Sequence, residues 1–164
     1  MRFMARAAEE GFRVSKPWGD SARYDFAVEE NGRFLRIQVK STIFRSGSGY
    51  ACSIQRAGEG GAQRYTTEQV DFFAAYVIPE DVWYILPTEV AGAVNGQLQL
   101  SPKKAKQRYA NYKEAWHLLH AAVAKNQRKL RLRRRWERRW RRPIGTLKRE
   151  RRPSCAGRWS PWRG

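Results

Sequence analysis

The sequence predicts an α/β domain over residues 1–124, followed by a basic tail over residues 125–164. Three observations carry this. Apolar residues at helical spacing open the domain and close it. Between them run short segments of β-branched and aromatic residues at period two, punctuated by glycine and proline. Charge, finally, is split unevenly: residues 1–124 hold 16 Lys+Arg against 13 Asp+Glu, a net +3, whereas residues 125–164 hold 17 against 2, a net +15. The overall charge of +18 therefore describes the tail, and the domain is close to neutral.

Met1 to Glu10 reads as a helix, with Phe3, Ala7 and Ala8 on one face and Gly11 suited to the position just past its end. Phe12 to Val14 enters a strand that Pro17 and Gly19 interrupt. Tyr24 to Glu29 is a strand, Asn31-Gly32 is a strong hairpin signal, and Arg33 to Thr42 is a longer strand with clean alternation. Tyr50 to Gln55 follows as a third strand of this region. The stretch AGEGGA, residues 57–62, reads as a flexible loop; without a GK[ST] ending it is no phosphate-binding P-loop. Val70 to Ile78 and Val82 to Leu86 are two further apolar segments, separated by Pro79-Glu80-Asp81. Thr88 is expected to cap a helical turn over Glu89 to Ala91, and Leu98 to Leu100 to form a short strand. A helix is then expected to run to about Ala124, with Tyr109, Tyr112, Trp116, Leu119 and Val123 as its apolar stripe.

Several function classes are excluded on the same reading. No apolar run is long enough to span a bilayer, and the first residues lack the apolar core of a signal peptide, so a soluble, cytoplasmic protein is expected. Cys52 and Cys155 form no CxxC pair, and Cys52 is expected as a buried thiol. His117 and His120 stand three apart without an evident third ligand, which favours a structural or surface role. No GxSxG element or hydrolase triad is present. Phe72, Phe73, Tyr76, Trp83 and Tyr84 are expected as sheet core rather than as platforms for bases.

The hairpin allows a register to be derived. If Asn31 and Gly32 are the two turn residues, paired numbers sum to 63 and Asp25 lies opposite Gln38. Opposed residues project to one face with Cβ atoms about 5 Å apart. Lys40, two residues beyond Gln38, shares that face, while Leu35, Ile37 and Val39 share the other with Tyr24, Phe26 and Val28. One face is then an apolar core, and the other, open to solvent, gathers a carboxylate, an amide and an amine. Asp25 supplies an anionic oxygen to a hard divalent cation and Gln38 a neutral one. A lysine beside them can position an attacking water and stabilise charge on a phosphate. The same alternation also describes a solvent-facing strand with no site, and pattern alone leaves both readings open.

The run GDSARYDFAVEENGRFLRIQVKST, residues 19–42, resembles the PD-(D/E)XK nucleases, in particular the bacterial endonucleases related to group I intron-encoded homing enzymes, which often carry Gln in the second element. Arg23-Tyr24-Asp25 matches the "PD" element and Gln38-Val39-Lys40 the "(D/E)XK" element. KPWGDS at 16–21, VDFFAAYVIPEDVWYILP at 70–87 and YKEAWHLL at 112–119 look like the same group. The resemblance implies a restriction endonuclease-like core, a mixed β-sheet flanked by helices. It implies Mg²⁺ held by Asp25, the Gln38 side chain and the Val39 main-chain carbonyl, with Lys40 as the catalytic lysine. It implies DNA as the partner, no membrane, and a homo-oligomer reading a long site. Ser21 and Ser41 flank the site as candidate phosphate contacts. Relatives often carry a Glu about three turns ahead of the glycine that ends the first helix. That place falls at Met1 here, so the chain is expected to be N-terminally short of an acid.

Lys103, Lys104, Lys106 and Arg108 form the one basic cluster of the domain, readable as the solvated start of a helix or as a phosphate contact. In the tail, Leu132, Trp136 and Trp140 recur every four residues amid arginine, as in a basic amphipathic helix, or as in GC-rich sequence translated past a natural gene end. The expected function is a metal-dependent DNA endonuclease. The alternatives are a non-catalytic DNA-binding remnant of the same fold, and general polyanion binding through the tail.

Overall fold

A computed structural model describes residues 1–19, 21–30, 32–58, 60–94, 96–122, 131–132 and 137. Contacts divide the chain into Met1–Arg128 and Lys129–Gly164, and the fold below is that of the first unit. The tail stripe of Trp136 and Trp140 lies outside the described residues, as does Val123.

The first element is α1, Arg2–Glu9, which buries Phe3 and Ala7, with Gly11 at φ 86 just past its end. Five strands then build the main sheet: β1 (Arg13–Ser15), β2 (Phe26–Glu30), β3 (Arg33–Thr42), and, after an excursion, strands Phe72–Val77 and Val82–Pro87. The excursion supplies β4 (Arg45–Ser46), β5 (Gly49–Ser53), β6 (Arg56–Gly58) and β7 (Gly61–Gln63), so the last two strands of the main sheet are β8 and β9. Next come α2 (Thr88–Gly92) and β10 (Gln97–Leu100). The main sheet runs β1-β2-β3-β8-β9, antiparallel throughout except for the parallel pair β3–β8. A small sheet, β10-β5-β4, and a separate β6–β7 ribbon complete the strands.

The hairpin register follows the sequence reading: Phe26 faces Ile37, Val28 faces Leu35 and Glu30 faces Arg33, with Gly32 at φ 72 in the connection and Asn31 outside the described residues. The expectation of a single apolar face does not hold. Phe72, Ala74, Tyr76, Trp83 and Ile85 alternate to one side, where they pack with Leu35, Ile37, α1, Trp116 and Leu119. Phe73, Ala75, Val77, Tyr84 and Leu86 alternate to the other, under Tyr50, Cys52, Leu98, Leu100 and Ala91. A parallel pair at the centre of a sheet is covered on both faces, so β8 is buried throughout and β3 packs apolar residues to one side with Gln38 buried on the other. The five aromatics of β8 and β9 are core, as expected. Tyr24 packs against the second cluster rather than with Phe26 and Val28, because the ladder begins only at Phe26 and alternation no longer governs residue 24.

Three local expectations also fail. Residues 57–62, read as a flexible loop, lie mostly in β6 and β7, which pair antiparallel with Ala57 opposite Ala62. Thr88 does not cap α2: its hydroxyl donates to the Val70 carbonyl at 2.9 Å and is buried. The long helix to Ala124 is broken. Ala110–Tyr112 is a 3₁₀ turn, Lys113 bridges to Tyr84, Glu114 sits at φ 49, and α-helix resumes only over residues 117–122. Tyr109 and Tyr112 pack on one face of the sheet, and Trp116 and Leu119 on the other. The segment therefore crosses the exposed edge of β9, with Glu114 accepting from the Trp83 N–H at 2.6 Å and from Trp116 Nε1 at 2.9 Å. An unpaired edge strand is covered in this way, and one helix with one stripe could not have done it. Among the described residues, no helix is long and apolar enough to cross a membrane.

Cys52 is fully buried beneath the second face, and burial pushes its thiol from 9.0 up to about 11, against a smaller opposing pull from the Lys40 charge. The unfolded thiol ionises first, so between pH 9 and about 11 the unfolded chain binds fewer protons than the folded one. Stability then falls as pH rises through that window, and the contribution is intact below it. Urea unfolding of the wild type should lose about 1 kcal/mol per pH unit more than Cys52→Ala between pH 9 and 11. Parallel curves for the two proteins would refute the buried-thiol assignment.

Candidate active site

β2 stops at Phe26, opposite Ile37, while β3 runs on to Thr42, so the edge of β3 beyond Ile37 lacks a strand partner on the β2 side. Asp25 fills that gap. Its own N–H donates to the Ile37 carbonyl at 2.9 Å, and its carboxylate Oδ2 accepts the Val39 N–H at 2.7 Å. The side chain thereby takes the place of a missing ladder carbonyl. The same Oδ2 accepts Gln38 Nε2 at 2.6 Å. Gln38 is 7 % exposed, and its backbone lies in register with Phe73 on β8. Asp25, Gln38 and the Val39 backbone are thus in direct contact, and the carboxylate is half-buried rather than open to solvent as expected.

Lys40 shares the Gln38 face but is engaged elsewhere. Its Nζ donates to the Gln55 carbonyl at 3.1 Å and stands 5.4 Å from the centre of the Tyr65 ring. Neither Gln55 nor Tyr65 is marked by the linear sequence. Gln55 acts through a backbone carbonyl, which any residue supplies, and Tyr65 is one aromatic among many. Ser41 is exposed and, one residue on from Lys40, faces the opposite side of the sheet, so it does not share the Lys40 face. Ser21 is exposed in the loop that leads to Asp25. The basic cluster is not on a helix: Lys103 pairs with Glu80 at 3.1 Å, Lys104 and Lys106 are exposed, and Arg108 lies 5.4 Å from the Tyr109 ring centre. His117 is exposed, and His120 stacks on Phe12 at 4.2 Å and contacts Glu30 at 2.9 Å.

The donor set at this strand edge is one of oxygens. Among the described residues no three His, Cys, Asp or Glu side chains come together in a way that could hold a metal. Asp25 Oδ1, left over from the two bonds to Oδ2, and the Val39 carbonyl are oxygens on an unpaired strand edge. The Gln38 amide can add its oxygen if it turns and releases Oδ2. A few protein oxygens with the remaining positions left to water or phosphate is the pattern that suits Mg²⁺.

Comparison with known proteins bears on the fold and the family. A bacterial homing endonuclease, I-Ssp6803I, superposes with a TM-score of 0.67 at 28 % identity, over 76 % of this chain and 90 % of that one. The fold is therefore that of a nuclease, a mixed sheet flanked by helices. Residues 1–119 match the PD-(D/E)XK endonucleases, and the chain belongs to that family. Among the curated proteins none matches.

The Asp25 contacts give its carboxylate a share in stability that one open to solvent would not have. Asp25→Ala leaves the Val39 N–H and the Gln38 amide without their acceptor. Loss of such bonds at partly buried donors costs about 1–3 kcal/mol. Chemical denaturation should show a loss in that range for Asp25→Ala. An unchanged midpoint would show that water replaces the carboxylate at no cost.

Proposed function

We propose that this chain is a metal-dependent DNA endonuclease that hydrolyses phosphodiester bonds at the Asp25–Gln38–Lys40 site. The observation that carries the reading is the carboxylate of Asp25 held against the unpaired edge of β3, in direct contact with Gln38 and Val39, within a PD-(D/E)XK fold. Family members typically use divalent metals. Asp25, the Gln38 carbonyl oxygen and the Val39 main-chain oxygen would hold the ion, which when bound supplies Lewis acidity and lowers the pKa of a water. The chain's own residues do the rest. Asp25 supplies the fixed negative charge that favours a cation over water. Gln38, buried on β3 beside Phe73 of β8, restricts where that carboxylate stands through its bond to Oδ2. Lys40 offers a cationic donor on the same face to the charge that develops on the phosphate oxygens. Ser21, Lys104, Lys106 and Arg108 are proposed to contact the DNA backbone, positioning rather than reading it.

A second reading, general polyanion binding through residues 125–164, is favoured by one observation, the 17 Lys+Arg against 2 acids in that segment. The two separate by salt and by metal. Binding through the tail should weaken steeply with salt and disappear when residues 125–164 are deleted. Nicking should require Mg²⁺ and survive the deletion.

The decisive assay is Mg²⁺-dependent nicking of supercoiled plasmid. Asp25→Ala and Lys40→Ala should each lose about 100-fold or more. Gln38→Glu should hold or raise Mg²⁺ affinity by adding an anionic ligand, with turnover unchanged or lower because the extra charge repels phosphate. An Asp25→Ala protein that cleaves as well as the wild type sinks the assignment.

A further inference from the structure

The ammonium of Lys40 is held from two directions by groups outside the strands that carry the site motif. The Gln55 carbonyl accepts from Nζ at 3.1 Å. The Tyr65 ring lies under the charge, 5.4 Å from Nζ to the ring centre. That ring is itself fixed, edge-on against Phe73 at 5.5 Å between centroids. Phe73 is the β8 residue in register with Gln38. Lys40, Tyr65 and Phe73 thus form one packed row, and it ends at the strand neighbour of Gln38. Gln55, Tyr65 and Phe73 also line a cavity of about 10 Å³, space for about one water, so little slack surrounds the cradle.

The chemistry of the cradle matters as much as its geometry. A carboxylate partner would fix Lys40 and also cancel its charge. A carbonyl and a π-face fix it while leaving the net charge in place, because both attract a cation without carrying one. An ammonium has three donors, and only one is spent on Gln55. We infer that Tyr65 is a positioning residue for Lys40, holding its Nζ aimed, with the remaining donors free for a phosphate oxygen. This rests on the nuclease reading above for its catalytic consequence, though not for its structural content. It also gives Tyr65 and Gln55, which flank the β6–β7 ribbon, a defined task that no motif in the sequence assigns.

Two measurements on the full chain test it. In protein labelled with ¹³C-lysine, the ε-methylene protons of Lys40, identified by loss of their signal in Lys40→Arg, should be shifted upfield by the Tyr65 ring. The shift should persist in Tyr65→Phe and vanish in Tyr65→Leu, which keeps an apolar contact to Phe73. In plasmid nicking, Tyr65→Leu should lower kcat about tenfold with KM for DNA unchanged, and Tyr65→Phe should stay within about twofold of wild type. In a Lys40→Ala background, Tyr65→Leu should have no further effect. Unshifted Lys40 protons in the wild type overturn the inference, as does an equal loss from Tyr65→Phe and Tyr65→Leu, or an undiminished Tyr65→Leu effect without Lys40. A wild-type chain that cleaves no DNA overturns the nuclease reading instead, and the proton shift then decides by itself whether Tyr65 carries Lys40.

Discussion

The clamp between Arg36 and Asp71 sets the register on which the site depends. Asp71 stands just before β8, and its carboxylate accepts the Arg36 N–H at 2.8 Å, Arg36 Nε at 2.9 Å and an Arg36 terminal nitrogen at 2.9 Å. The Asp71 N–H returns a bond to the Arg36 carbonyl at 2.9 Å, and its carbonyl accepts from the Thr88 N–H at 3.1 Å, at the far end of β9. Backbone and side chain thus agree on a single alignment of β3, β8 and β9. The hydrogen bond to Asp71 raises the Arg36 pKa above its ordinary value, so the guanidinium stays charged. Charge-assisted, forked bonding of this kind adds geometric specificity as well as energy.

Register is the quantity that matters because side chains in a strand alternate with period two. A slip of one residue between β3 and β8 would turn one strand's core set toward the wrong layer. It would also separate Gln38 and Lys40, both on β3, from Phe73 and so from the Tyr65 ring packed on it. The clamp lies two residues before Gln38, at the point where the parallel pair begins. Apolar layers on both faces then penalise any slip, since Leu35 and Ile37 serve one cluster and Phe73 and Ala75 the other. The polar site survives in this setting because it sits where β2 has ended. There, backbone that the ladder does not use is taken up by Asp25.

Much of this was legible in the residues. The Asn-Gly signal placed the hairpin, its register put Asp25 beside Gln38, and period two assigned Leu35 and Ile37 to one face. Those inferences are local: each spans fewer than about fifteen residues and rests on turn geometry and alternation. The long helix before Ala124 failed for a complementary reason. Tyr109, Tyr112, Trp116 and Leu119 do recur at helical spacing, but they answer to two different cores on opposite faces of the sheet. Spacing cannot distinguish one stripe from two half-stripes when the chain crosses a sheet edge between them. Thr88 likewise carries the residue type of a cap, yet its hydroxyl is claimed by Val70, eighteen residues away.

The sequence by itself determined the hairpin and the identity of the polar residues on β3, because these follow from short-range periodicity, and it carried the family as a resemblance spread over several blocks of residues 1–119. The tertiary structure alone decided that β3 and β8 run parallel with both faces buried, that Asp25 completes the edge of β3, and that Lys40 rests on Gln55 and Tyr65. These last relations join residues 12 to 35 positions apart through backbone groups, a carboxylate and a ring face. Such contacts depend on where the folded chain brings groups together, and almost any residue order could have encoded the backbone ones.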